Sequence, residues 1–135
     1  MSVAKRQCAW AKELLTDLCR RGVTKVIIAP GSRHTPLVLG AHNLALEGHL
    51  ELFDVLDERV AGFVGLGLAR ITGTPAVILT TSGSAGAHLL PAVIEAERSR
   101  VPMIVITADR PEDLHGVGAP QTIVQRDNRH HLLLQ

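Results

Sequence analysis

The feature that most constrains the fold is residues 23–33, with the sequence VTKVIIAPGSR. It predicts a short apolar strand at residues 23–29, a tight Pro-Gly-Ser-Arg turn, and a helix directly afterwards. In an open α/β sheet, ligands bind outside the carboxyl ends of the strands. A polar, basic turn in this position is therefore a candidate binding site.

The same order of strand and helix repeats along the chain. Strands are predicted at residues 23–29, 50–56, 76–81 and 103–107, and helices at residues 4–21, 35–46, 58–71 and 85–99. This alternation with short turns predicts an α/β fold, a doubly wound, mostly parallel sheet with helices on both faces. Four strands have clear patterns, and residues 131–134 are a candidate fifth.

Composition agrees with this fold and excludes several classes of function. The 135 residues predict a single domain, and a chain that is 46% hydrophobic but 2% aromatic must build its core from Val, Ile, Leu and Ala. A net charge of +1 without aromatic stacking platforms argues against nucleic-acid binding. No apolar run approaches the roughly 20 residues of a membrane span.

The cysteines and histidines predict neither a disulfide nor a metal site. Cys8 and Cys19 share one predicted helix and lie roughly 16 Å apart along its axis, so they cannot pair, and a reduced cytoplasmic protein is expected. The seven histidines show no HxxxH or HExxH spacing. His130 and His131 are interpreted as a solvated pair. The chain also lacks a P-loop, a dinucleotide turn and a GxSxG elbow.

Two later strands also end in polar turns, TTSGS at residues 80–84 and TADRP at residues 107–111. Because the carboxyl ends of parallel strands share one edge, these turns and the first one predict a composite site. Arg33 and Arg110 above that edge would suit carboxylates, although each alone is as readily a surface arginine. The turn around Gly83 caps a helix whose N-terminus can hold an anion or a substrate oxygen.

The predicted helix at residues 58–71 has two unusual features. Asp57 and Glu58 open it, and acidic residues in a first turn are most simply explained by the helix dipole. A carboxylate placed between an apolar strand and an apolar helix nevertheless has a tunable pKa, which keeps a functional role open. Gly62, Gly65 and Gly67 each cost about 1 kcal/mol in a helix. Close backbone packing, or a helix contact across a dimer, would explain them.

Four segments in order resemble the amino-terminal, pyrimidine-binding domain of thiamine-diphosphate enzymes. They are IAPGSRHTPL, LDERVAGFVGLGLARITGTPAVILTTSGSAGAHLLPAVIEA, PMIVITADRP and GAPQTIVQ. The combination of PGSRxTPL with TADRP is similar to the menaquinone-pathway synthases that form 2-succinyl-5-enolpyruvyl-6-hydroxy-3-cyclohexene-1-carboxylate. The resemblance covers about residues 7–125. It implies thiamine diphosphate and Mg²⁺ as cofactors of a complete transferase. We also expect a homo-oligomer, a dimer or a tetramer, formed through the glycine-rich helix 58–71.

The resemblance also implies roles for individual residues. Glu58 would hydrogen-bond N1′ of the cofactor's aminopyrimidine, where proton sharing activates the cofactor. Ser82 and Gly83 would lie on the cofactor side. The family decarboxylates 2-oxoglutarate and adds the succinyl unit to isochorismate. Substrate contacts would come from four residues: Ser32 and Arg33 toward the acceptor or intermediates, Arg110 on a substrate carboxylate, and Gln121 orienting an intermediate or acceptor hydroxyl.

The sequence departs from the family pattern near the acceptor side. Pro120 stands where the family usually has Asn, Val124 where it has Arg, and His34 where it has a small hydroxyl residue. These differences bear on acceptor specificity more than on Glu58.

The family's enzymes also have a central domain and a diphosphate-binding domain, whose GDG…N motif holds the cofactor through Mg²⁺. These 135 residues contain no such motif, so they would supply half a site, with the other domain in cis or in trans. We expect the isolated chain to be inactive and to bind cofactor weakly. A fragment, a form truncated within its last strand and helix, and a subunit of a split enzyme remain alternatives. So do another thiamine-diphosphate 2-oxo acid decarboxylase or carboligase, and a non-catalytic dimerisation or binding module.

Overall fold

Four parallel strands form one sheet in a computed structural model that describes residues 2–125. They are β1 (Lys25–Ile28), β2 (Glu51–Asp54), β3 (Ala76–Thr80) and β4 (Met103–Thr107). Their order is β2-β1-β3-β4, so the chain winds outward in both directions from β1. This confirms the predicted α/β fold with a doubly wound parallel sheet. The candidate strand at 131–134 and the pair His130 and His131 lie outside the described residues.

Helices cover both faces of the sheet. They are α1 (Val3–Arg20), α2 (Thr35–Leu46), α3 (Glu58–Thr72), α4 (Ser84–His88) and α5 (Leu90–Ser99), and a 3₁₀ turn (Glu112–Leu114) follows β4. Helices α1 and α2 pack together on one face, and α3 packs with α5 on the other. Within the described part of the chain, every helix is too short or too polar to cross a membrane.

The core follows the alternation of side chains along the strands. On β1, Val26 and Ile28 join the cluster under α1 and α2, whereas Ile27 joins the cluster under α3. Strand β3 is buried along its whole length because it lies between β1 and β4. Strand β4 is half-buried along its whole length, as its place at the end of the strand order implies.

The predicted helix at residues 85–99 is two helices, α4 and α5. Pro91 lacks the N–H that a continuous helix would use, and its ring crowds the carbonyl of Ala87 one turn earlier. The chain therefore tightens at the buried Leu89, whose N–H donates to the Gly86 carbonyl at 3.2 Å in a 3₁₀-type bond. Pro91, which the prediction of one helix did not take into account, is the feature of the sequence that marks this break.

Two of the three glycines in α3 are explained by packing inside the chain. A Cβ on Gly62 would lie 2.8 Å from the Ala92 Cβ of α5, and one on Gly65 would lie 2.9 Å from the Ile78 Cδ1 of β3. The predicted close backbone packing is therefore present at these positions. A Cβ on Gly67 would meet no described atom within 4 Å.

Candidate functional site

The three polar turns meet at one edge of the sheet. Residues 28 of β1 and 79 of β3 are paired in register, and so are Thr80 and Thr107, so these strands end together. The turn after β1 touches the turn after β3, because a Cβ on Gly31 would lie only 2.4 Å from the Thr81 Cβ. A composite surface at the carboxyl ends of the strands is therefore available for a ligand.

Ser32 and Arg33 occupy the first of these turns, and both side chains are exposed. The Ser32 carbonyl accepts hydrogen bonds from the Thr35 hydroxyl at 2.7 Å and the Thr35 N–H at 3.4 Å, which shape the entry into α2. The backbone of Ser32 thus has a structural role. The Ser32 hydroxyl and the Arg33 guanidinium face solvent at the sheet edge.

Asp57 and Glu58 have different surroundings although they are neighbours. Asp57 is the N-cap of α3, and its Oδ1 accepts the Arg59 N–H at 2.8 Å. Hydrogen bonds from the Arg59 guanidinium, the largest cause, and from the Arg59 N–H hold the pKa of Asp57 far below its usual range. Glu58 is the first residue of α3, its side chain is 19% exposed, and its Oε2 lies 3.9 Å from Nδ1 of His88. The helix-capping role belongs to Asp57, whereas the Glu58 carboxylate lies at the sheet edge beside α4.

His34 is the most buried polar side chain near this edge. It is the residue before α2, it is 1% exposed, and within residues 2–125 neither ring nitrogen has a hydrogen-bond partner. Burial lowers the pKa of His34, and the nearby Ala29 carbonyl and the negative charge of Glu58 oppose this shift. The ring is therefore a neutral, desolvated group electrostatically coupled to Glu58. The hydroxyls of Thr80 and Thr81 are likewise buried and without a partner in that part of the chain.

Ser82 and Gly83 contact a segment that arrives from the far end of the chain. The Ser82 hydroxyl donates to the Gln121 carbonyl at 3.0 Å, and the Gly83 N–H donates to the Gln125 Oε1 at 2.9 Å. The resemblance places Ser82 and Gly83 on the cofactor side, and in the structure the Ser82 hydroxyl and the Gly83 N–H donate to residues 121 and 125. The helix that follows, α4, has only five residues.

Arg110 is directed at the same segment. Its Nη2 and Nε donate to the Pro120 carbonyl at 2.8 and 3.2 Å, and its backbone N–H donates to the Asp109 carboxylate at 2.7 Å. His115 closes this loop, because its Nε2 lies 3.0 Å from the Arg110 carbonyl.

The fold therefore brings Arg110, Ser82, Gly83 and Gln121 together through one stretch of backbone. Arg33 and Ser32 share the sheet edge but take no part in this hydrogen-bonded cluster.

Two residues at the site were not singled out from the sequence. His88 reaches Glu58 across thirty positions of sequence, which no local pattern reveals. Gln125 lies within the GAPQTIVQ segment, but its contacts to the turns that follow β3 and β4 depend on how the chain returns to the sheet. Among residues 2–125, no three His, Cys, Asp or Glu side chains are grouped so that they could hold a metal ion.

Comparison with known proteins connects this geometry to a family. The profile of the family described as "Thiamine pyrophosphate enzyme, N-terminal TPP binding domain" matches residues 9–130. A protein of Myxococcus xanthus named 2-succinyl-5-enolpyruvyl-6-hydroxy-3-cyclohexene-1-carboxylate synthase is 52% identical over 124 residues, 92% of this chain and 20% of that protein. Proteins of the same name are 50% identical in Chloroflexus aurantiacus, over 86% of this chain and 19% of the relative, and 46% identical in Haemophilus influenzae, over 94% and 22%. The chain thus spans about a fifth of the length of these curated relatives.

Proposed function

The chain belongs to the thiamine pyrophosphate (TPP) enzymes, as an N-terminal TPP binding domain, and from this premise we propose that it supplies the pyrimidine-binding half of a carboligase active site. The proposed reaction is decarboxylation of 2-oxoglutarate and addition of the succinyl unit to isochorismate, in menaquinone biosynthesis. The observation that supports it most directly is the Glu58 carboxylate, held at the first position of α3 beside the composite edge of the sheet.

Glu58 suits the pyrimidine half of the cofactor. TPP, when bound, supplies a nucleophilic thiazolium carbon and an electron sink for 2-oxo acid decarboxylation. The proposed role of Glu58 is to hold a proton at N1′ of the aminopyrimidine, for which a largely buried carboxylate is well suited. Neutral His34 places no positive charge against Glu58, so it does not compete with N1′ for the carboxylate. Ser82 and Gly83 are proposed to border the cofactor from the end of β3.

The proposed substrates are carboxylates, and the basic residues at the sheet edge match them. Arg110 is proposed to bind a substrate carboxylate with the donors that remain beside its bond to the Pro120 carbonyl. Arg33 and Ser32, both exposed, are proposed to contact the acceptor. Gln121 is proposed to orient an acceptor hydroxyl, since its exposed side chain lies on the segment that crosses Ser82.

The proposal assigns the diphosphate and its Mg²⁺ to another domain, in cis or in trans. These 135 residues are proposed to be a single pyrimidine-binding domain that is inactive in isolation. They would work in the cytoplasm, where the free thiols of Cys8 and Cys19 would stay reduced.

The decisive experiment uses a complete protein that contains this chain and a diphosphate-binding domain. We expect TPP- and Mg²⁺-dependent consumption of 2-oxoglutarate when isochorismate is present, and a fall of at least about 100-fold in kcat for Glu58→Gln, because proton transfer by a positioned group contributes about that much. Glu13→Gln, an exposed glutamate on α1, is the matched control and should leave kcat unchanged.

Other outcomes separate the alternatives. If pyruvate replaces 2-oxoglutarate as the better donor, the chain serves another TPP-dependent decarboxylase or carboligase. If Glu58→Gln and the parent protein are equally active, or if neither reacts although both are folded, the catalytic proposal is wrong.

One observation favours a second candidate, a dimerisation module. Val60, Phe63 and Ile71 are spaced to lie along one side of α3, and Leu56 lies two residues before the helix. All four side chains are at least half exposed. Apolar side chains in such a row are typical of contact surfaces. We propose that this row, the α3 stripe, mediates a homo-oligomer, whether or not the assembly is catalytic.

A further inference from the structure

The side-chain amide of Gln125 links the ends of two strands. Its Oε1 accepts the Gly83 N–H at 2.9 Å, and its Nε2 donates to the Ala108 carbonyl at 3.0 Å and to the Thr107 hydroxyl at 3.3 Å. Gly83 follows β3, whereas Thr107 ends β4. Only a side chain that carries both an acceptor and two N–H donors can make this set of bonds, and glutamine has both.

The same segment packs directly against the backbone of Gly83. Gly83 has φ +82°, and a Cβ there would lie 2.9 Å from the carbonyl carbon and oxygen of Gln121. Gln121 itself has φ +54°, a left-handed conformation that is uncommon for a non-glycine residue. The backbone at Gln121 thus combines an unusual conformation with close contacts to the turn after β3.

Three tethers hold residues 120–125 in place, and they differ in kind. Arg110 binds the Pro120 carbonyl and Ser82 binds the Gln121 carbonyl, so both use backbone atoms that any residue would offer. The third tether uses the side chain of Gln125. On the segment itself, residue type therefore matters most at position 125.

We propose that Gln125 is a positioning residue that locks residues 121–125 against the Ser82–Gly83 turn and so fixes where the Gln121 side chain is presented. This rests on the proposed function, in which Gln121 contacts the acceptor or an intermediate. The Gln125 amide bonds both the turn after β3 and the end of β4, so the same side chain is shared by the turn that carries Ser82 and the strand end that leads to Arg110.

The first test measures the tether without activity. In the complete protein, hydrogen exchange in a peptide that spans Gly83 should be at least about tenfold faster in Gln125→Leu, which keeps the size of the side chain but none of its hydrogen bonds. Gln125→Glu keeps the acceptor for the Gly83 N–H and should exchange more slowly than Gln125→Leu. Gln7→Leu, at an exposed position of α1, should match the parent protein. Equal exchange rates in all four proteins would overturn the proposal.

The second test asks whether Gln125 acts through Gln121. We expect Gln125→Leu to lower kcat/KM for the acceptor by about 10- to 100-fold, since a displacement of about 1 Å costs up to about 100-fold. The double variant Gln125→Leu with Gln121→Ala should have the same kcat/KM for the acceptor as Gln121→Ala alone. The side chain that Gln125 positions is already absent from that variant, so losing the tether has no further effect. Multiplicative losses would overturn the positioning role. If Gln125→Leu does not fold, the same double-mutant cycle with Gln121→Ala is measured with Gln125→Glu in its place.

The two tests separate this proposal from the proposed function. If the complete protein lacks the TPP-dependent reaction, the proposed function fails, and the exchange rates at Gly83 still decide whether Gln125 holds the segment.

Discussion

At the scale of single residues, burial distinguishes polar groups that the sequence places side by side. Asp57 is hydrogen-bonded to Arg59 at the start of α3, whereas the Glu58 side chain is largely buried and lies beside His88 of α4. His34 is more deeply buried than Glu58, because it is 1% exposed, and its ring has no hydrogen-bond partner among the described residues. A desolvated imidazole resists protonation, so the fold is sensitive to acid at this position.

The acid sensitivity of His34 gives a prediction with a definite sign. Burial lowers the pKa of His34 in the fold below its ordinary value of 6.5, so between these two pKa values the unfolded chain binds the extra proton. The stability that a neutral His34 supplies is therefore fully present above about pH 6.5 and is lost as the pH falls below it. We expect the free energy of unfolding of His34→Asn to decline less steeply than that of the parent between pH 7.5 and 5.5.

Urea unfolding at several pH values measures this difference in slope, which cannot exceed about 1.4 kcal/mol per pH unit for one proton. His42→Asn is the matched control, because His42 is exposed on α2 and its replacement should leave the slope unchanged. Parallel curves for His34→Asn and the parent would contradict the prediction.

At the scale of elements, the two faces of α3 differ in how much space they leave for side chains. Its inner face approaches α5 and β3 so closely that Gly62 and Gly65 leave no space for a side chain. Its outer face carries the α3 stripe and Gly67, which has open space around it. Helix propensity predicts the same gain in stability for alanine at each of these glycines. Differences in the effect of the replacements must therefore come from packing.

Gly62→Ala should destabilise the protein although alanine is the better helix former. The new Cβ would lie 2.8 Å from the Ala92 Cβ, which cannot rotate away, so α3 and α5 must separate. We expect a loss of about 1–3 kcal/mol in the free energy of unfolding, the usual cost of overpacking. Gly67→Ala, measured in the monomer, should instead gain up to about 1 kcal/mol in the free energy of unfolding.

A double-mutant cycle tests the cause of the loss in Gly62→Ala. Adding Ala92→Gly should restore part of that loss, because it removes the Cβ that the new side chain meets. Strictly additive effects would show that the close approach is not the cause.

The sequence predicted the elements better than the contacts between them. The four strands and the helix at residues 58–71 follow from local periodicity, and the turns at the carboxyl edge follow from the parallel topology. The split between α4 and α5 was missed although Pro91 lies inside the predicted helix at residues 85–99, because the apolar pattern continues across it and was followed instead of the proline's missing N–H. His88 and Gln125 were missed because their partners lie 30 and 42 positions away, so only the folded chain brings them together.

At the scale of the whole molecule, the matched relatives are about five times as long as the stretch that matches this chain. The Gln125 tether, the Glu58 carboxylate and the polar turns all lie at the carboxyl edge of the sheet, whereas the α3 stripe lies on an outer helix surface. A site of this kind can be completed by another domain at the edge while a second copy packs on the stripe. The two contacts can therefore be tested separately.

Phe63 and Val60 lie one turn apart in the middle of the α3 stripe and are about half exposed, at 50% and 53%. If the stripe joins two copies of the chain, burying a new carboxylate there is costly, since an unpaired charge must be desolvated. We expect Phe63→Asp to weaken self-association at least about tenfold in sedimentation velocity runs over a range of concentrations. Leu46→Asp is the matched control, because Leu46 is 75% exposed at the end of α2, on the opposite face of the sheet. If Phe63→Asp and Leu46→Asp both associate as the parent does, the α3 stripe is not the contact between the two copies.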